Sequence, residues 1–336
     1  MPVPNVLLTP EIQQAYNRKL LTRFRTTTVF NRFGDTNGIP RNGGVNLQWR
    51  KMEIIRPVPT GNTSSWQADS VYTAAAAALL AEGSLNISAT IATWTSVSAT
   101  VQQYGQYAII SDWLDAQSID PQVPNYVENF GEAMSELLDL VTRDVLVAST
   151  TLQYANGRAN PSLLVSGDFL TLLELRKAVK TLKRNNAKPA EDGKFVAIVH
   201  PDTMYDLQGD SNITTVWNYG GAPNNDLFNA SFKDIPFGIR LYESTLAPVT
   251  RYSGLPLPWY NTIVLAKEAY GTVKIDALPS KVIVHNPGTS GVSDPLDQQG
   301  TVGWKANFAA VILNQSNMVR ILHATSSNVA TIIAVT

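Results

Sequence analysis

Few residues in this chain are able to do chemistry. Cysteine is absent and only three histidines occur, His200, His285 and His323. Thiolate nucleophiles, thiolate metal sites and disulfides are therefore removed together. His200 stands between the apolar run Phe195-Val196-Ala197-Ile198-Val199 and Pro201-Asp202, an order that reads as a buried strand turning into a helix with proline and a capping carboxylate at its start. Asp202, Asp206 and Asp210 recur at helical spacing, not at the spacing of a calcium loop. Glu132 and Glu136 share a helix face, yet no further oxygen ligands lie near them in sequence. No Gly-x-Ser-x-Gly elbow, phosphate-cradling loop or His-Glu-x-x-His helix is present. No catalytic residue, cofactor or metal site is expected. A hydrolase would rest on His200 and scattered aspartates alone.

The charged side chains are arranged for contact instead. Arg18, Lys19, Arg23, Arg25 and Arg32 crowd a short stretch that reads as a helix from Glu11 to about Phe24 followed by an extended arm. Such a run is a solvated face, or an arm reaching an acidic neighbour or nucleic acid. A helix predicted over Thr171 to Asn185 turns Leu172, Leu175, Val179 and Leu182 inward and Arg176, Lys177, Lys180, Lys183 and Arg184 outward. That basic face is solvated, meets the acidic spine of another copy, or meets phosphate by charge alone.

Composition narrows the class. The net charge of −1 argues against a tight nucleic-acid binder, which needs a strongly basic face. The charged fraction of 16% lies below the usual ~25%, while 44% hydrophobic residues suffice for a real core. Surfaces pressed against other proteins carry few charges at their centres, so a chain buried in an assembly fits. A secreted β-rich protein shares that composition. Met1-Pro2-Val3-Pro4-Asn5 does not read as a secretory leader, and no run of 18 apolar residues predicts a membrane span. The Asn-x-Ser/Thr matches at Asn62, Asn86, Asn212 and Asn229 are then chance.

Val45 to Asp112 reads as a long β-ribbon with almost no core of its own. Its strands are Val45–Arg56 and Ser98–Ile110, with some small and polar sequence between. A dozen strand residues reach about 40 Å, and an isolated ribbon of that length is marginal in water. The rest of the chain offers no obvious surface for it, which makes another copy the natural support. Ser111-Asp112 caps a short helical turn. Residues 125–152 form the strongest helix, with Tyr126, Phe130, Met134, Leu137, Val141 and Val145 inward and Glu128, Glu132, Glu136 and Asp139 outward. Further strands are predicted at 195–199, 238–243, 262–267, 272–275, 281–285, 302–313 and 318–325, the last four returning to the first unit.

Several segments resemble one family in order and spacing. They are Gln103-Tyr104-Gly105-Gln106-Tyr107-Ala108-Ile109-Ile110-Ser111-Asp112, Leu140–Leu146 with Gly157-Arg158-Ala159, Arg176–Pro189, Ile198–Asp202, and Asp294-Pro295-Leu296 with Thr301-Val302-Gly303-Trp304-Lys305. From about Ala15 to Ser326 the chain is similar to major capsid proteins of tailed bacteriophages, in the branch typified by the coliphage N4 capsid protein. The alanine run Ala74 to Ala78 departs from that pattern. The resemblance implies an α+β chain with the Hong Kong 97 capsid fold. Its parts would be an N-terminal arm at 1–44, an extended β-hairpin loop at 45–110, a peripheral domain at 111–190 with its spine helix at 125–152, an axial domain at 191–270, and closing peripheral strands at 271–336.

The function so implied is a shell protein that assembles into hexamers and pentamers of an icosahedral capsid around double-stranded DNA. Inter-subunit contacts are expected at Trp49, Arg50, Trp66, Trp94, Tyr104, Glu128, Glu132, Arg176 and Lys180. Partners would be other copies, portal, scaffolding and decoration proteins, and packaged DNA touched without sequence preference; no membrane is involved. The location would be the virion, after assembly in the host bacterial cytoplasm. The rival readings are an encapsulin-type cargo compartment and an extracellular β-rich binding module.

Overall fold

A computed structural model describes residues 28–52, 94–118, 122–210, 234–235, 237–251, 258–286, 295–296 and 298–329. The predicted helix at 11–24, the basic residues before Arg32, Trp66 and the alanine run lie outside them. In chain order the elements are β1 (Asp35–Ile39), β2 (Asn46–Met52), β3 (Trp94–Thr100), β4 (Gln102–Ser111), α1 (Asp112–Gln117), α2 (Gln122–Val147) and β5 (Leu152–Tyr154). There follow α3 (Leu172–Arg184), β6 (Phe195–Val199), α4 (Pro201–Gln208), β7 (Asp234–Ile235), β8 (Ile239–Glu243), β9 (Val249–Thr250) and β10 (Trp259–Leu265). The last are β11 (Tyr270–Ile275), β12 (Lys281–His285), β13 (Gln299–Ile312) and β14 (Met318–His323).

One sheet is organised by β13. Its first part pairs β4 from Gln299↔Ser111 to Phe308↔Gln102, and β12 from Thr301↔His285 to Lys305↔Lys281. Its last residues pair β11, which pairs β1 in parallel. Strand alternation turns Val302, Trp304 and Ala306 of β13 and Ala108 and Ile110 of β4 to one face. There α2 lays down Val123, Tyr126, Val127, Phe130, Met134, Leu137 and Leu138.

The helix ends at Val147, short of the predicted Leu152, because its next residues are captured elsewhere. Ser149 Oγ and Thr150 N donate to Gln315 Oε1 at 3.1 and 3.2 Å, and Thr151 Oγ1 donates to the Gln315 carbonyl at 2.8 Å. Leu152 then opens β5.

The predicted ribbon is also divided. Its return strand is β3, paired with β2 from Asn46↔Thr100 to Met52↔Trp94. Residues 102–111 leave it for the β13 sheet, where Ile110 and Ala108 find apolar partners that a free ribbon lacks.

The second sheet runs β5-β14-β10-β6-β8-β7, with β9 also on β10. β6, β10 and β14 are buried throughout, as central strands covered on both faces must be. That burial explains why β14 sits between β5 and β10 and does not return to the β13 sheet as predicted. On one face α3 and α4 supply Leu172, Leu175, Val179, Leu182, Met204 and Leu207. Helix α3 thus belongs to this sheet, although its residues were grouped with the spine helix by sequence. On the other face Val196, Ile198, Ile263, Leu265 and Met318 meet Leu146 of α2 and Tyr270 of β11. This core joins the two sheets.

Residues 29–33 plug that junction. Val29 and Phe30 are buried in the joining core. Asp139, expected on the outer face of the helix, is fully buried beneath them. Its carboxylate accepts the backbone N–H of Val29 at 3.0 Å and of Asn31 at 2.9 Å. Thr142 Oγ1 donates to Asn31 Oδ1, Tyr270 donates to the Phe30 carbonyl, and Phe33 N donates to Tyr270 Oη at 3.2 Å. Burial pushes the Asp139 carboxyl above its ordinary range, while the backbone N–H groups and the Arg143 guanidinium pull it down. Arg32 reaches the second sheet, pairing Glu191 at 3.1 Å with its guanidinium over the rings of Phe33 and Tyr242.

Candidate assembly surface

The root of the ribbon rests on its own chain. Leu47, Trp49, Ala99 and Val101 pack with Ile39 of β1, Val273 of β11 and Ala309 of β13. A Cβ on Gly271 would lie 2.7 Å from Trp49 Cζ2, so the indole fits only over glycine there. Trp49 is therefore half-buried within the chain. The outer end differs: Met52 and Trp94 remain 46% and 56% exposed. Arg50 holds its guanidinium 5.3 Å from the Trp94 ring centre, joining two residues that sequence had singled out.

The remaining predicted contacts lie in three places and do not converge. Tyr104 packs beneath α2, its hydroxyl donating to Gln102 at 3.4 Å. Glu128 is exposed and Glu132 half-buried on α2. Arg176 and Lys180 are exposed on α3, and Arg176 lies 4.7 Å over the ring of Phe237, a residue at φ 87° in the turn before β8. Trp66 lies outside the described residues.

Sequence reasoning missed the β13-sheet face turned away from α2. Tyr107 and Ile109 of β4 are exposed there, beside Ile283 and His285 of β12 across the bare backbone of Gly303. Tyr107, Ile283, His285 and Gly303 line an open groove of about 450 Å³. The signal was present: β4 alternates side chains without one charge or proline, which a solvated edge strand normally carries. Beyond it α1 buries no residue, and its Trp113 and Leu114 are 65% and 47% exposed. Ser111 caps this helix as predicted, accepting Leu114 N at 3.2 Å.

His200, Asp202, Asp206 and Asp210 each make contacts within the fold. His200, not Asp202, caps α4, its Nδ1 accepting Asp202 N at 3.2 Å. Asp202 takes the Tyr260 hydroxyl at 2.7 Å, and burial, seconded by this bond, pushes that phenol up to about 12. Asp206 accepts the Ser326 backbone N–H at 2.9 Å, and Asp210 accepts Leu172 N at 2.9 Å at the start of α3. Among the described residues no group of three or more His, Asp or Glu could hold a metal ion, and no helix is long and apolar enough to cross a membrane.

His323 gives this region a pH dependence. It is fully buried between Thr262 Oγ1 and the Ala324 carbonyl, both at 3.0 Å, and burial pushes its pKa down to about 4. The unfolded chain takes up this proton near pH 6.5, the folded one only near 4. Stability from this residue is thus complete above pH 6.5 and falls by about 1.4 kcal/mol per pH unit as pH drops to 4. Urea midpoints measured at pH 7 and 4.5 should show that loss, and His323→Gln should reduce the difference.

A projecting ribbon, a long helix on a β13-type sheet and a second sheet docked beside it form an architecture that invites comparison. The family model described as phage capsid protein matches residues 94–321, more than half of the chain. The chain belongs to the phage capsid protein family. Among solved structures, this capsid protein is similar to the capsid of cyanophage Pam1 (TM-score 0.68, 12% identity, covering 96% of this chain and 100% of that one). It is likewise similar to the capsid of Ralstonia phage GP4 (TM-score 0.67, 12% identity, 97% and 98% covered). A third likeness is to the capsid of cyanophage P-SCSP1u (TM-score 0.66, 16% identity, 94% of each chain covered). No curated protein matches the sequence. The α+β Hong Kong 97-like fold expected from the resemblance is borne out, and so is the structural role of a major capsid shell protein.

Proposed function

We propose that this capsid protein closes into hexamers and pentamers of an icosahedral shell around double-stranded DNA, with the ribbon of one subunit lying over the next. The observation that carries this reading is the outer end of the ribbon. Its root is covered by its own sheet, but Met52 and Trp94 stay exposed and are in none of the cores formed by the described residues. Apolar burial between copies, at roughly 25 cal/mol per Å², then sums over a closed shell.

In this reading the β13 sheet with α2 is the peripheral unit and the seven-stranded sheet with α3 and α4 is the axial one. Trp94, Arg50 and the exposed faces of α2 and α3 supply contacts between subunits. Portal, scaffolding and decoration proteins complete the particle, which is assembled in the host bacterial cytoplasm, and its interior surface touches DNA by charge alone. No chemical step is assigned to the chain, in keeping with a structural family.

The test is to remove residues 53–93 and close Met52 to Trp94 with an Asn-Gly turn, which suits a two-residue hairpin. The shortened chain should be a folded monomer that forms no particles under conditions where the full chain does. Particles seen by electron microscopy for the shortened chain would refute the ribbon as the joint.

A further inference from the structure

Two exposed patches among the described residues complement each other. The ribbon's outer end exposes Met52 and Trp94 together with the cations Arg50 and Lys51. Helix α1 exposes Trp113 and Leu114 together with the anions Asp112 and Asp115. None of these four charged side chains makes an ion pair with another side chain among the described residues; Asp112 only accepts its neighbour's N–H, from Trp113 at 2.7 Å. Helix α1 buries nothing in its own chain, so an isolated six-residue helix bearing a tryptophan needs some cover.

The two patches cannot meet within one copy by the course of β13. Helix α1 follows Ser111, which pairs with Gln299 at one end of that strand. The ribbon root packs on Ala309 near the other end. Fourteen strand residues separate the ends of β13 by about 46 Å. A patch at one end and its complement at the other is the layout of a head-to-tail contact, which closes into a ring when the rotation between copies permits.

We infer that α1 is the seat for the ribbon end of a second copy, Trp113 and Leu114 receiving Met52 and Trp94 while Asp112 and Asp115 face Arg50 and Lys51. The occupant is chosen by charge: the seat carries Asp112 and Asp115, and among the described residues the exposed ribbon patch of Met52 and Trp94 carries the cations Arg50 and Lys51. This rests on the shell reading above and specifies which surface of the neighbour takes the ribbon. Opposite charges at the rim set register and encounter rate, and the apolar centre supplies the burial.

The test uses charge reversal in the full chain. Asp112→Lys with Asp115→Lys, and separately Arg50→Glu with Lys51→Glu, should each lower particle yield at least tenfold by sedimentation and electron microscopy. Circular dichroism melts should stay unchanged, since all four side chains are exposed. The chain carrying all four substitutions should recover particles. Normal yield from either reversed chain, or no recovery in the fourfold variant, overturns the pairing while leaving the shell reading standing. Failure of the unmodified chain to form any particle would instead remove the shell reading, and the pairing with it.

Discussion

Phe30→Ala should destabilise the folded chain by about 3–5 kcal/mol, the usual range for emptying a fully buried phenylalanine site. The side chain is sealed among Leu146 of α2, Val196, Ile198, Ile263 and Leu265 of the seven-stranded sheet, and Tyr270 of β11. Helix α2 and strands β6, β10 and β11 would therefore line one cavity. None can collapse into it alone, because each is held by its own sheet or helix. Urea unfolding followed by tryptophan fluorescence checks the figure. A loss below about 1 kcal/mol would mean that the cavity closes and that Phe30 does not join the sheets.

The second large effect is expected at Asp139. Asp139→Ala leaves the buried N–H of Val29 and the half-buried N–H of Asn31 without acceptors, at a cost of about 1–3 kcal/mol for the first and less for the second. Removing a carboxylate whose charge is disfavoured by burial returns part of this, so a net loss of about 2–4 kcal/mol is expected. Asp139→Asn keeps one acceptor oxygen and should lose less. Amide hydrogen exchange at Val29 and Asn31 should rise sharply in the alanine variant while β10 stays protected. Unchanged exchange at both amides would show that the carboxylate does not hold this segment.

Why Asp139 was misplaced shows what sequence can and cannot reveal. The periodicity of α2 correctly turned Tyr126, Phe130, Met134 and Leu137 toward the β13 sheet. It also placed Asp139 among the outer acids, because a charge on an amphipathic helix is normally solvated. The residue is buried only because a distant segment, more than a hundred positions earlier, lays two backbone donors on it. Local pattern carries no trace of such a partner. The same holds for β1: Asp35-Thr36-Asn37-Gly38-Ile39 has no strand-like composition and becomes a strand by pairing with β11.

Where the partner is local, sequence reasoning succeeds. The inward leucines of α3, the buried run of β6 and the Ser111 cap fall where the residues predict. The candidate surface was half legible. Arg50 and Trp94, expected at contacts between copies, stack on each other at the exposed end of the described ribbon, whereas the exposure of Tyr107, Ile109, Trp113 and Leu114 was overlooked, since it is decided by what fails to pack against an apolar residue. Trp49 is the converse, an aromatic whose partner, Gly271, has no side chain with which to announce itself.

A final consequence concerns load. Only Val101 separates β3 from β4, and β4 is bonded to β13 through ten consecutive residue pairs. Tension pulling outward on the flap enters β4 along its own length and strains those bonds together in shear, not one after another as in unzipping. A container under pressure from within would hold at this seam until the whole ladder slips at once.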